Sequence, residues 1–312
     1  MTKIATRDAY GDALVALGKK RDDVVVLDAD LSGSTKTSKF AKVFPDRFFN
    51  IGIAEQDMMG TAAGFAIAGK LPFASTFAVF ATGRAWEQVR QSICYPNMNV
   101  KIVASHAGIT VGEDGGSHQS VEDIAVMRVL PNMTVIVPAD GPETLQAIEA
   151  VAEHKGPCYV RVGRNKVPTL FGAEYRFKIG KAHVFNEGRD AAIIATGIMV
   201  AEAIKARDLL KAEGIDAGVI NMSTIKPIDA GAVVAAAQYS GAIVTAEEHS
   251  IIGGLGGAVA EVLCESVPVP MVRIGVKDTF GTSGDQEGLM KHYGLSAGDI
   301  VNAVKDVMKK KK

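Results

Sequence analysis

"FFNIGIAEQDMMGTAAGFA", Phe48 to Ala66, carries Glu55 at the point where an extended apolar run gives way to small residues. The order "NIG" then "IAEQ" predicts a strand that ends and a helix whose first turn holds Glu55, where the helix dipole favours an ionised carboxylate. An ordinary first-turn acid would be solvated. Ile51, Ile53, Ala54, Met58 and Met59 instead make this turn apolar, and burying an unpaired carboxylate is costly, so Glu55 calls for a partner.

Apolar, β-branched runs alternate with helical patterns on both sides of this stretch, as expected of parallel βαβ units with helices on both faces of a sheet. Strands are expected in "VVVLDAD", "FFNIG", "PFASTF", "VKIVASH", "TVIVPA" and "CYVRV". The rhythm breaks between about Asn165 and Glu187, then resumes with "AAIIATG", "DAGVINMS", "GAIVTAEE" and "VPMVRIGV". The expected fold class is therefore α/β, with two doubly wound, mainly parallel sheets: residues 1–168, a linker at 169–187, and residues 188–312.

The 312 residues include 34 Lys plus Arg against 35 Asp plus Glu, a net charge of −1 that gives no footprint for nucleic acid or an anionic membrane. Cys94, Cys158 and Cys264 are too widely spaced to suggest a disulfide framework or a zinc site, and a reducing cytoplasm is expected. No signal peptide or membrane-length apolar run is read, and the closing "MKKKK" looks like the solubilising end of a last helix.

Three further stretches invite chemistry. The glycines of "IIGGLGGAVAE" suit either a pyrophosphate at a helix N-terminus or close packing of helix on sheet; the spacing is not a clean G-x-G-x-x-G, and packing is favoured. The loop "SHAGITVGEDGGSHQS" holds His106, Asp114 and His118 at the carboxyl end of a strand, where ligands of open parallel sheets gather. Two histidines and one Asp fall short of a zinc site. His249 is expected at a domain or subunit contact. "STFAVF" brings Phe77 and Phe80 to a strand end, followed by "ATGRAWEQVRQ" as a helix, and beside a buried acid these rings either pack in the core or hold a flat heteroaromatic ring.

Together these residues resemble the pyrimidine-binding and C-terminal domains of transketolase, a thiamine diphosphate enzyme, over nearly the whole chain. The resemblance implies that Glu55 bonds the aminopyrimidine N1′ of the cofactor, with Phe80 and less directly Phe77 as the aromatic platform beneath the ring. It implies that Asp114 and His118 bind donor hydroxyls, His118 also moving a proton, and that Arg7, Ser32, His106 and Arg164 hold a sugar phosphate, a role suited to guanidinium forks and hydroxyls. Taken singly, Arg7 could be a solvated helix-start charge, Ser32 a turn former, Arg164 a strand-end ion pair and Asp114 a turn residue.

Two departures stand out. The family's usual aromatic three residues after the second phenylalanine is here Gly83, and no G-D-G motif for Mg²⁺ (or Ca²⁺) and diphosphate occurs. The resemblance thus implies a split transketolase, with an N-terminal subunit supplying the metal and diphosphate site and a dimeric core or α2β2 assembly. In a deoxyxylulose-phosphate synthase the loop reads more like D-R-A-G where "SHAG" stands, and against a 2-oxo-acid dehydrogenase β subunit of similar size the two loop histidines and the phosphate arginines favour sugar phosphates. A non-catalytic relative would not be expected to keep Glu55, Phe80, His106 and His118 together.

Overall fold

The computed structural model describes residues 2–311. Seven strands form the first sheet, in the spatial order Thr224–Lys226, Thr134–Ile136, Cys158–Arg161, Lys101–Ala104, Leu71–Ser75, Val24–Asp28, Phe48–Asn50. All neighbours in it run parallel except Thr224–Lys226, which pairs antiparallel with Thr134–Ile136. Val24–Asp28 is buried at every position, as a parallel strand covered on both faces requires. The second sheet has five strands, in the order Met271–Val276, Ile243–Ser250, Ala191–Ala195, Ala217–Asn221, His183–Asn186, and only the last pairs antiparallel. The fold is α/β, with mainly parallel sheets flanked by helices.

The segment 169–187 is more than a spacer. Asp140 accepts hydrogen bonds from the Leu170 and Phe171 amides at 2.6 and 2.9 Å, and Tyr175 donates to the buried Glu143 carboxylate at 2.5 Å. Burial pushes the Glu143 carboxyl up to about 7. His183–Asn186 then adds an edge strand to the second sheet, so the mixed charge read as a linker belongs to a tethered crossing with one exposed strand face.

The two sheets share their packing. One apolar cluster runs from Leu27, Met58 and Ile102 to Ile194, Ile220 and Leu255. Within it Arg161 donates from Nε to Asp123 at 2.7 Å and from Nη2 to the Glu248 carbonyl at 2.8 Å, joining the first sheet to a strand of the second. His249 is fully buried at the same boundary and accepts from the Ala125 amide at 3.3 Å. The glycines of Ile251 to Glu261 are packing glycines: the Leu255 and Gly256 amides at the helix start are taken by Glu247, at 2.7 and 2.8 Å. A Cβ on Gly254 would stand 2.0 Å from that carboxylate.

No helix among the described residues is long and apolar enough to cross a membrane. Arg161→Met should leave the Asp123 carboxylate buried without its cation and cost about 3–5 kcal/mol, read as a lowered urea midpoint. An unchanged midpoint would show that the ion pair contributes nothing.

Candidate functional site

The carboxyl ends of the first sheet converge on one edge. Val24–Asp28 leads to Ser32, Phe48–Asn50 to Glu55, Leu71–Ser75 to Phe77 and Phe80, Lys101–Ala104 to His106, and Cys158–Arg161 to Arg164. The chain crosses from one side of Val24–Asp28 to the other here, which is the position where ligands bind in open α/β sheets. Arg7, from the Thr6–Lys20 helix, is brought in because the Gly163 amide donates to Thr6 Oγ1 at 2.7 Å.

Glu55 is the first residue of the Glu55–Ile67 helix, and its side chain is 1% exposed. Met58 and Met59, one turn further along the helix, are also buried, whereas Ile53 is 76% exposed, so the turn is not apolar and enclosed at every position. The carboxylate is not unpaired. Arg84 donates Nη1 to both of its oxygens, at 3.0 and 2.9 Å, and the same guanidinium lies 4.8 Å from the Phe80 ring centre. Gln56 fixes the Arg84 carbonyl at 3.0 Å.

Sequence reasoning missed Arg84. Its signal lies in the irregular backbone: the strand ends at Ser75, and "ATGRAWEQVRQ" is not one regular helix. Phe80–Arg84 and Val89–Cys94 are π-helical with Trp86–Gln88 between them, so Phe80 begins a π turn instead of ending a strand. The wider turn swings Arg84 back over Phe80. A Cβ on Gly83 would meet nothing within 4 Å, so the missing aromatic leaves open space.

Aromatic contacts connect this acid to the cationic end. Phe77 and Phe80 lie parallel with centres 5.9 Å apart, and Phe77 stacks on His106 at 3.8 Å. Phe77 is buried, leaving Phe80 as the more accessible ring. His118 meets Phe80 edge-on at 5.8 Å. Arg7 Nη1 donates to His106 Nε2 at 3.3 Å, and since a guanidinium can only donate, Nε2 accepts and Nδ1–H points to Ser105 Oγ at 2.8 Å. His106 is therefore a neutral ring. Burial first, then Arg7, Arg164, His118 and Lys36, pushes its pKa down to about 3.

The remaining expected residues are less tightly gathered. Ser32 opens the short Ser32–Thr35 helix, but Ser34 contributes the contact, its carbonyl accepting from Arg7 at 2.9 Å. Asp28 holds that turn through Thr35 and Thr37 at 2.7 and 2.8 Å, and burial pushes its carboxyl above the usual range. Arg164 bonds the Val111 carbonyl and Glu113, the latter at 2.9 Å. Asp114 is exposed and makes no side-chain hydrogen bond among the described residues. Lys36, absent from the sequence reading, adds charge near His106. The arrangement offers a sheltered carboxylate beside a flat ring at one end, a group of cations at the other, and imidazoles between.

Arg84→Ala should cost about 1–3 kcal/mol by stranding the buried Glu55, and Glu55→Gln in that background should restore most of the loss in thermal unfolding. His106 contributes in the opposite sense to a paired base. Its folded pKa of about 3 lies below the ordinary 6.5, so the unfolded chain binds the extra proton and stability falls as pH drops from about 6.5 towards 3. Urea midpoints for His106→Asn between pH 7 and 4 should decline less steeply than for the unaltered chain.

Family models for the transketolase pyrimidine binding domain and the transketolase C-terminal domain match residues 2–169 and 180–300. A Methanocaldococcus jannaschii protein provisionally named a transketolase C-terminal section is 52% identical over 307 residues, covering 97% of this chain and 96% of its own length. A 6-deoxy-6-sulfo-D-fructose transketolase subunit of a Clostridium species is 44% identical, over 98% and 95% of the two chains. A solved split gene transketolase, described as an inactive β4 tetramer, superposes with a TM-score of 0.92 at 55% identity over 100% of both chains. The chain belongs to the transketolase family, within the thiamine diphosphate enzymes, and corresponds to that family's C-terminal section.

Proposed function

We propose that this chain is the C-terminal subunit of a two-polypeptide transketolase, which moves a two-carbon ketol unit from a ketose phosphate such as xylulose 5-phosphate to an aldose phosphate. The observation that carries this reading is the buried Glu55 carboxylate beside the Phe80 ring, linked by Phe77 and His106 to Arg7. A sheltered carboxyl group can share a proton with a ring nitrogen, and a flat aromatic face suits an aminopyrimidine, so these residues fit thiamine diphosphate. When bound, the cofactor supplies the carbanion chemistry.

Glu55 is assigned the proton at the pyrimidine N1′. Both its oxygens are engaged by Arg84, so that role requires the guanidinium to withdraw, and Arg84 serves as a stand-in partner until then. Phe80, backed by Phe77, orients the ring. His118 moves a proton at the reacting carbon's hydroxyl, and Asp114 accepts a donor hydroxyl. Arg7, Arg164 and His106, with the Ser32 turn, anchor the phosphate, and charge-assisted contacts of this kind are the strong ones.

Mg²⁺ (or Ca²⁺) and the diphosphate are assigned to an N-terminal partner subunit, with two chains of each kind as the working assembly. The solved relative's description as an inactive tetramer of one chain supports a subunit that associates with itself and lacks turnover without its partner. The 6-deoxy-6-sulfo-D-fructose relative supports a sugar with an anionic end as substrate class. The units 1–168 and 188–312, joined through 169–187, and a cytoplasmic setting belong to the same reading.

The test mixes the chain with an N-terminal subunit, thiamine diphosphate, Mg²⁺, xylulose 5-phosphate as donor and an aldose phosphate as acceptor, and measures the shortened aldose released from the donor. Glu55→Gln should keep partner binding and lose at least about 10²-fold in kcat. Arg164→Ala should raise KM for phosphorylated donors by about 1.5–3 kcal/mol, tenfold or more, and leave an unphosphorylated analogue nearly unaffected. Near-normal turnover by the Glu55 variant sinks the proposal.

A further inference from the structure

The loop between His106 and His118 owes its glycines to the C-terminal half of the chain. A Cβ on Gly108 would lie 2.3 Å from the Glu248 carboxyl, one on Gly115 2.5 Å from Ser283 Oγ, and one on Gly116 2.6 Å from the Gly281 carbonyl. At Gly112 it would lie 3.3 Å from the Gly284 carbonyl. Gly108, Gly112 and Gly115 also have positive φ, at 77°, 87° and 72°, which other residues rarely adopt. Three of these four glycines thus face one short segment, Gly281–Gly284.

Polar contacts reinforce the approach. The Thr110 amide donates to Glu248 Oε1 at 2.7 Å. Gln119, 5% exposed, donates Nε2 to the Ile109 carbonyl at 2.9 Å and to the Thr282 carbonyl at 3.0 Å, bridging the loop's two limbs to the opposing segment. That segment is itself held, since Asp285 caps the Gln286–His292 helix and Tyr293 donates to the Phe280 carbonyl at 3.2 Å. Glu248 in turn is fixed by Arg161 through its carbonyl.

We propose that Gly281–Gly284, with Glu248 and Gln119, is a clamp by which the C-terminal half sets the position of the substrate loop, making Gln119 a positioning residue for His106, Asp114 and His118. The substrate named here rests on the function proposed above; the clamp does not. Small displacements of residues that orient a substrate lower rates steeply, so the geometry of this loop has to be held from outside its own glycine-rich backbone. The Gly108 and Gly115 amides are taken by the Ser120 and Gly112 carbonyls, and the open faces of these glycines mate with protein.

The experiment compares amide hydrogen exchange of residues 108–118 in the unaltered chain, Gln119→Leu, Gly281→Ala and a control, Val304→Ala, whose side chain is fully buried in the Ala297–Met308 helix. A Cβ at 281 would stand 1.7 Å from Gln119 Oε1, so this variant opens the clamp from the other side. Expected are about tenfold faster loop exchange in both clamp variants and none in the control at matched thermal stability. In the two-subunit enzyme, kcat with the ketose phosphate should fall roughly tenfold in the clamp variants, since His118 is displaced, with KM changed less. Loop exchange within twofold of the unaltered chain in both clamp variants, or equal acceleration in Val304→Ala, overturns the clamp. If the unaltered two-subunit mixture transfers no ketol unit, the proposed function fails and the exchange measurement still decides the clamp.

Discussion

A carboxylate with almost no access to water needs a positive or proton-sharing neighbour, and the site is organised around that requirement at Glu55. Arg84 meets it from the half-exposed side, with two hydrogen bonds and a face laid on Phe80. The pairing makes the acid compatible with a folded chain before anything else binds. It also sets a limit, because both oxygens of one carboxylate cannot serve a guanidinium and a ring nitrogen together.

The parallel sheet supplies the rest by geometry. Five successive strand ends deliver their following residues to one edge, so groups far apart in the chain meet without any local motif. The aromatic residues then separate two electrostatic regions, the acid at Glu55 and the cations about Arg7, with His106 kept neutral between Phe77 and Arg7. Neutrality follows from exclusion of water and from neighbouring positive charge, and it leaves the ring able to accept from one partner while donating to Ser105.

Much of this was legible in the sequence because burial leaves a periodic trace. The parallel strands, the helix starting at Glu55 and the loop bearing two histidines were all read from apolar runs and the residues that end them. What escaped was set by long-range packing. Arg84 lies in a stretch that reads as an ordinary helix, and only the π turns redirect it to Glu55. Ser34 and Ser32 are equivalent as turn formers until Arg7 selects the carbonyl of one of them. The strands His183–Asn186 and Thr224–Lys226 are too short and too polar in setting for their periodicity to announce them, and each is specified by the edge that it joins.

Thr224–Lys226 has a wider meaning for the architecture. It comes from the sequence of the second half yet closes the rim of the first half's sheet beside Thr134–Ile136. The open row of backbone donors and acceptors that the first half would otherwise present to other molecules is thereby covered by its own chain. The two halves are consequently not interchangeable modules: separating them would unmask a sticky border, and solubility as well as geometry ties them into one polypeptide.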